Sequence, residues 1–388
     1  MPESRERSRS GHFALLGGNS LPFLVIQFSP EVSSLSARAS RRVSVNVHPG
    51  IRRWLVALCL IAAVVQQSAC SGGSTSSASS STGGGTGGGG GGGTGGGGGG
   101  TGGSGGGSGG NNVPLFEHVF LVVEENHSFS DVIGNSSMPY LNGLATANSL
   151  ATQYYADAHP SLPNYFMLTV GEGTSITGSA GDSYNGVVTQ DNVVRALTAA
   201  GKTWKCYAES LPSVGYLGGD DGAYLQRHDP FVYFSDVQSS ATQAGNIVPF
   251  TQLATDIANN ALPDYAFIVP NVNDDAHNCP AGMTTCTQDQ QLAAADQWLS
   301  TNISPLLGST SFQNSLMVIV FDEAEDSDVT NGGGHVPAVI VSSKAKAGYQ
   351  STTLYQHEST LRLMIEGLGV ADLPGAAATA PDMTEFFN

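Results

Sequence analysis

The sequence predicts an α/β protein: a single domain with a largely parallel central sheet and helices on both faces. Two apolar runs and one alternation predict it. Residues 119–123 (VFLVV) are continuous β-formers that stop at Glu124, Glu125, Asn126 and His127. Residues 315–321 (SLMVIVF) stop the same way, at Asp322, Glu323, Ala324, Glu325 and Asp326. Unbroken apolar runs of this length read as strands buried on both faces, the habit of a parallel sheet under helices. Strand-like and helix-like stretches also alternate from about residue 112 onward, as crossover helices require. Ligands of such sheets sit beyond the carboxyl ends of the strands, where both acidic tips would emerge.

Taken in order, residues 1–50 are rich in Ser and Arg and have no sustained periodicity. Arg52-Arg53 followed by 54–65 (WLVALCLIAAVV) has the layout of a secretory signal, a basic end and a short apolar core. The core is too short for a comfortable bilayer span. A signal ordinarily opens a chain, so 1–50 reads as an upstream extension, consistent with a start codon assigned too early. Within the leader 51–70, Gln67-Ser68-Ala69-Cys70 resembles a bacterial lipoprotein signal, with Gln67 standing where that pattern favours Leu. The expected location is outside the cytoplasm: periplasmic, secreted, or held to a membrane through lipid on Cys70. Residues 71–112 are almost entirely Gly, Ser and Thr, a flexible tether with a reach of roughly 35 Å. Its matches to GxGxxG carry no meaning, because no strand precedes them.

The domain is expected over 113–388, long enough for a sizeable core. Strands are predicted at 118–123, 203–207, 265–269, 316–321 and 338–341. Helices are predicted at 138–148, 191–200, 250–259, 288–302 and 357–367. Asp191 before an apolar-periodic stretch and Gly201 after it supply start and stop signals for the second helix. Cys279 and Cys286 bracket a short loop and are expected to pair, as suits an exported protein. Cys206, inside a predicted strand, is expected to be a buried free thiol.

Charge narrows the function. The chain carries 15 Lys and Arg against 32 Asp and Glu. Eight of the basic residues and only three of the acids precede Cys70, so the domain is strongly acidic. Nucleic acid and anionic membrane surfaces, which need clustered cations, are poor partners for it. An anionic substrate would need its charge offset by something other than Lys and Arg.

Four clusters could supply that chemistry. They are Glu125-Asn126, the loop HPSLPNY at 159–165, Asn273-Asp274-Asp275-Ala276-His277, and Asp322-Glu323 with GGGHVP at 332–337. Carboxylates gathered at strand ends repel one another unless a cation holds them. Oxygen donors with histidine suit Mg²⁺, Mn²⁺, Ca²⁺ or Zn²⁺. Ser161, two prolines beside it and a helix to follow, is a candidate nucleophile, although an ordinary N-cap serine looks the same. The domain has no G-x-S-x-G elbow, which argues against a Ser-His-Asp hydrolase.

The series ENHSF, HPSLPNY, GKTWKCYAESLP (201–212), RHDPFVYF (227–234), NDDAH, FDE (321–323), GGGHVP and YQHESTLRLMIEGLG (355–369) resembles the phosphoesterase family of bacterial and fungal acid phosphatases and phospholipases C. The resemblance covers nearly all of 113–388. It implies an alkaline-phosphatase-like fold and metal-dependent hydrolysis of phosphate esters through a covalent phosphoserine. By motif, Ser161 would be the nucleophile and Glu125, Asn126, Asp322 and Glu323 would bind one metal. Asp275, His277 and His335 would bind a second metal or the phosphate. Asn126, His228 and His357 would contact phosphate, the two histidines being equally readable as structural. Trp204, Tyr207 and Glu209 would shape the pocket.

Two departures shift the expectation. Phe129 is followed by Ser130-Asp131-Val132, and the nucleophile loop ends in PNY, unlike the ENRSFDHYFG and PNR of phospholipase-type members. Both favour an acid phosphatase acting on monoesters, with a phospholipase C-type phosphodiesterase as the alternative. The partner is then a small phosphate ester or a phospholipid head group. A sulfatase is disfavoured because the C/S-x-P-x-R arginine is missing. A surface binding protein with a decayed site remains the remotest reading.

Overall fold

The structure, a computed structural model, describes residues 113–388. The leader, Cys70 and the Gly/Ser tract lie outside the described residues. Eight strands make one sheet: β1 (His118–Glu124), β2 (Ser149–Ala151), β3 (Trp204–Ala208), β4 (Ile247–Pro249), β5 (Tyr265–Val269), β6 (Ser315–Phe321), β7 (Ala338–Val341) and β8 (Tyr349–Ser351). Their order is β4-β3-β5-β1-β6-β7-β2-β8. β7 runs antiparallel to β6 and β2, and the other pairings are parallel. The fold is the largely parallel α/β sheet expected from the apolar runs.

The helices of seven or more residues are α1 (Pro139–Ala147), α2 (Ser161–Met167), α3 (Val193–Ala199), α4 (Gln252–Ala258), α5 (Gln288–Asn302) and α6 (His357–Gly367). Their ends follow local chemistry. The Asn192 side chain accepts the Arg195 N–H at the start of α3, and Thr287 with Gln290 forms a capping box on α5. Each such cap contributes about 1 kcal/mol by satisfying N–H groups that the helix leaves free. α6 turns Leu361, Met364 and Ile365 into the core. No described helix is long and apolar enough to cross a membrane.

Burial along the centre of the sheet is nearly continuous. β5, β6 and β7 are buried at every position and β1 at all but His118. Each fully buried Val, Ile, Leu or Phe there contributes about 1.5–3 kcal/mol relative to exposure. The centre is therefore rigid, and it aims three strand ends at one place. Pairing of Glu124 with Phe321 sets Glu125 beside Asp322. The Asp322 N–H donates to the Glu124 carbonyl at 2.9 Å, and the Glu125 N–H donates to the Asp275 carbonyl at 2.8 Å. Cys279 and Cys286 are disulfide-bonded in the loop after β5, and Cys206 is a buried free thiol.

The glycine triplet after β6 is a seat rather than a hinge. The Gly333 N–H donates to the Ala156 carbonyl, the Ala156 N–H donates to the Gly334 carbonyl, and the Ala324 N–H donates to the Gly333 carbonyl. A Cβ on Gly333 would stand 2.5 Å from the Ala158 carbonyl oxygen, inside van der Waals contact with backbone. Only glycine lets the loop after β6 lie against the segment that leads into His159 and Ser161. Gly333→Ala is expected to destabilise by about 1–3 kcal/mol and to lower activity at least tenfold. Thermal melts and initial rates check this, and wild-type values for both would show that the seat is dispensable.

Candidate active site

Ser161 is the first residue of α2, entered through a cis His159-Pro160 peptide. Its Oγ lies 3.2 Å from Glu125 Oε2 and 3.1 Å from Glu323 Oε1, so its single proton is offered to two carboxylates from different strands. Ser161 is 2 % exposed, and the Leu162 N–H after it is taken by Asp182 Oδ1 at 2.9 Å. Asp182 is itself held by Arg227 Nε at 3.2 Å.

Glu125, Asn126, Asp322 and Glu323, expected to converge from distant parts of the chain, do converge. The Asn126 N–H donates to Asp322 Oδ1 across 196 positions of sequence. Asn126 reaches this place with φ of 53°, a left-handed conformation that Asn tolerates better than most residues. Its amide faces Glu125 Oε2 and Asp322 Oδ1, and with nitrogen inward it donates to them at 2.8 and 3.1 Å. With oxygen inward, three oxygens from three residues would face one another, an arrangement suited to a cation.

A second group shares Glu125. One ligand atom each from Glu125, His228 and Asp275 lie within 4.8 Å of one another, all buried. His228 Nε2 is 3.2 Å from Glu125 Oε1, and its Nδ1 is 3.5 Å from Asp275 Oδ2. The Tyr165 hydroxyl donates to Glu125 Oε1 at 2.5 Å, while its ring stacks on His228 with centroids 5.3 Å apart. Tyr165 thereby fixes both members of the pair.

Electrostatics show what the cluster lacks. Burial first, then mutual repulsion, raises Glu125 and Asp322 well above the usual carboxylate range. Burial likewise pushes Asp275 up to about 7 and Glu323 up to about 8. His228 is driven well below its ordinary value by burial and by Arg227, so it brings little positive charge to the acids beside it. The buried Asp275 Oδ2 and Asp322 Oδ2 have no hydrogen-bond partner among the described residues. Clustered oxygens, one imidazole and orphaned buried acceptors fit a divalent cation. Glu125, Asn126, Asp322 and Glu323 would hold it, with His228 and Asp275 able to hold another.

Three further histidines named from the sequence have these surroundings. His357, expected to touch phosphate, is fully buried; its Nε2 is 2.6 Å from the Asp322 carbonyl and its Nδ1 3.1 Å from the Tyr154 hydroxyl. Both nitrogens are occupied, so it supports the backbone of Asp322 instead. His335 lies between Phe129 and Tyr155, with Nε2 on the Thr152 carbonyl, apart from the Asp275 group. The His277 ring pairs with Asn278, and its backbone N–H, not its imidazole, meets Asp275. His228 stands between Glu125 and Asp275, with the centroid of the His277 ring 6.4 Å from its own.

His159 and Tyr165 were not singled out by sequence. His159 Nδ1 lies 2.6 Å from Glu323 Oε2 and its Nε2 lies 2.9 Å from the Asp328 carbonyl, which orients Glu323 toward Ser161. The available signal was position: both stand within four residues of Ser161 in one proline-stiffened loop.

Comparison with known proteins gives the family and the fold. The profile of the phosphoesterase family matches residues 135–371. A phosphatidylinositol-3-phosphatase of Mycobacterium tuberculosis is 30% identical over 276 residues, covering 71% of this chain and 84% of that protein. An acid phosphatase of Aspergillus fumigatus is 29% identical over 273 residues, covering 66% of this chain and 56% of that protein, so the chain spans little more than half of its length. Among solved structures, a protein of the alkaline phosphatase superfamily from Vibrio parahaemolyticus superposes with a TM-score of 0.50 at 14% identity, over 67% of this chain and 68% of that one. That superposition speaks for the fold. With the family profile spanning more than half of its length, the chain belongs to the phosphoesterase family and is a phosphoric ester hydrolase of alkaline-phosphatase-like fold.

Proposed function

We propose that this protein is a metal-dependent phosphomonoesterase of the acid phosphatase type that works through a phosphoserine on Ser161. The observation that carries the proposal is the Ser161 hydroxyl poised between Glu125 and Glu323. In the first half-reaction Ser161 Oγ attacks phosphorus, the bond to the leaving oxygen breaks, and the serine proton passes by way of Glu323 to the leaving oxygen. Glu323 suits that role because its near oxygen already accepts the Ser161 hydroxyl and His159 fixes its far oxygen. In the second, water attacks the phosphoserine, the bond from phosphorus to Ser161 Oγ breaks, and one proton of that water returns to Oγ by way of Glu323 while its hydroxyl stays on the released phosphate. When bound, a divalent cation supplies Lewis-acid stabilisation of the charge that develops on the reacting oxygens. Tyr165 holds Glu125, and His357 holds the Asp322 backbone, so the acceptors need little reorganisation during the reaction.

The names of the relatives point to monoesters, including a phosphoinositide lipid. The test is a panel of p-nitrophenyl phosphate, phosphatidylinositol 3-phosphate, a bis-aryl phosphodiester and phosphatidylcholine, assayed on the full chain with and without added metals. We expect kcat/KM for the monoesters to exceed that for the diesters by about 100-fold or more, a gap of nearly 3 kcal/mol in transition-state binding. Preference for the diesters would establish the phospholipase C-type alternative. Absence of turnover on every substrate, with metals present, would favour a binding protein.

A further inference from the structure

The loops that follow β1 and β6 carry a second set of donors, which the catalytic reading leaves unused. His127, directly after Asn126, is 4 % exposed and its Nε2 lies 3.1 Å from the Ala276 carbonyl. A carbonyl can only accept, so Nε2 carries the proton and Nδ1 presents its lone pair on the opposite side of the ring. On that side stand Glu325, with Oε1 at 3.7 Å, and Asp131. One ligand atom from each of the three residues lies within 4.8 Å of the other two.

The spacing suits a single ion. Ligand atoms about 2.1 Å from one zinc stand roughly 3.4 Å from each other, so side-chain rotation is enough to close the set. Gln288 Nε2 now spans the gap, donating to His127 Nδ1 at 3.3 Å and to Glu325 Oε1 at 3.0 Å. A neutral amide thus does weakly what a cation would do more strongly. His127 and Glu325 also line a cleft of about 360 Å³ with Asn126, His277 and Asp326, which gives an ion a way in.

We propose that His127, Asp131 and Glu325 form a cation site distinct from the catalytic carboxylates, selective for zinc or a similar transition-metal ion. One fixed imidazole beside two carboxylates favours such ions, whereas Mg²⁺ and Ca²⁺ prefer sites made of oxygen. The ion would tie the loop carrying Glu125 and Asn126 to the loop carrying Asp322 and Glu323, one residue beyond the first pair and two beyond the second. The site does not depend on the phosphoserine reading, because it uses none of its residues.

The experiment measures bound Zn²⁺ per chain by equilibrium dialysis and elemental analysis, on the full-length protein. Wild type is compared with Asp131→Asn, Glu325→Gln and Asp289→Asn. The last removes a neighbouring acid that pairs with Asn135 rather than joining the triad. His127→Ala is avoided as sole evidence, since losing the Ala276 contact could unfold the loop. The two triad variants are expected to lose one zinc equivalent per chain at micromolar free Zn²⁺, while Asp289→Asn keeps it. Anomalous diffraction from zinc-soaked crystals should show a peak at His127 Nδ1. Unchanged stoichiometry in both triad variants, or a peak only at Glu125 and Asp322, would overturn the site. So would wild-type occupancy that needs millimolar zinc.

Discussion

Replacing Ser161 by alanine is expected to lower kcat by roughly 10³-fold or more, the scale seen when a nucleophile is removed from a working site. The fold should survive. The Ser161 Oγ makes its two contacts with carboxylates, and losing a hydrogen bond of that kind costs about 1.5–3 kcal/mol, well short of the stability of a domain of this size. The acids left behind keep their own supports: Tyr165 on Glu125, His159 on Glu323 and the Asn126 N–H on Asp322. Metal content should therefore change little while turnover collapses. Steady-state rates, circular dichroism melts and elemental analysis read the three quantities separately. Near-normal turnover in a folded Ser161→Ala protein would sink the phosphoserine proposal and leave the family membership intact.

Stripping divalent cations with a chelator should make stability fall as pH rises, the reverse of an ordinary acidic protein. The unfolded chain releases the protons of Asp275 and Glu323 near 3.8 and 4.5, whereas the folded chain holds them up to about 7 and about 8. Between those limits the native state binds more protons than the unfolded state, so the slope of unfolding free energy against pH is negative. The contribution is complete below about pH 4 and lost as pH passes through 7 to 8. Glu125 and Asp322 are shifted in the same direction by burial. His357, pushed down to about 4 by burial, works the other way between 4 and 6.5 but is outnumbered. We expect the chelated protein to melt roughly 5–10 °C lower at pH 8 than at pH 5.5. Added metal should restore most of the difference by keeping the cluster ionised. Asp229, raised to about 7 by burial, and Glu124 and Asp157, raised by burial as well, stand outside the metal-holding set, so part of the slope persists with metal present. A chelated protein that is steadily more stable toward pH 8 would refute the electrostatic account.

Local pattern revealed the parts of this molecule that are locally determined. The runs that became β1 and β6 are apolar throughout, and α5 and α6 match their expected limits because caps and periodicity lie within the segments. The three-residue strands β2, β4 and β8 were missed, since three residues show no period and their pairing partners lie elsewhere in the chain. In the site, Glu125, Asn126, Asp322 and Glu323 were legible because each pair ends a long strand. The partnership of His228 with Asp275 was not. His228 comes from the 3₁₀ turn Gln226–His228, and only the stacking on Tyr165 brings it in. His277 and His335 stand in the polar clusters that follow β5 and β6; the centroid of the His277 ring lies 6.4 Å from that of His228, and His335 is stacked between Phe129 and Tyr155. His357 was readable either as touching phosphate or as structural, and in the fold its two nitrogens lie on the Asp322 carbonyl and the Tyr154 hydroxyl.

The acids of the site hang from β1 and β6, the two middle strands of the sheet. Three strands flank β1 on one side and four on the other, and the two rims, β4 and β8, are only three residues long. Amide exchange is expected to follow the same grading, fastest where pairing is short and slowest where both ladders and both faces are filled. Opening at the rims should then leave the spacing of Glu125 and Asp322 unchanged. Sequence change or insertion at β4 and β8 is correspondingly cheap, and a change in leaving-group preference could arise at the periphery while the phosphoryl-transfer geometry stays fixed.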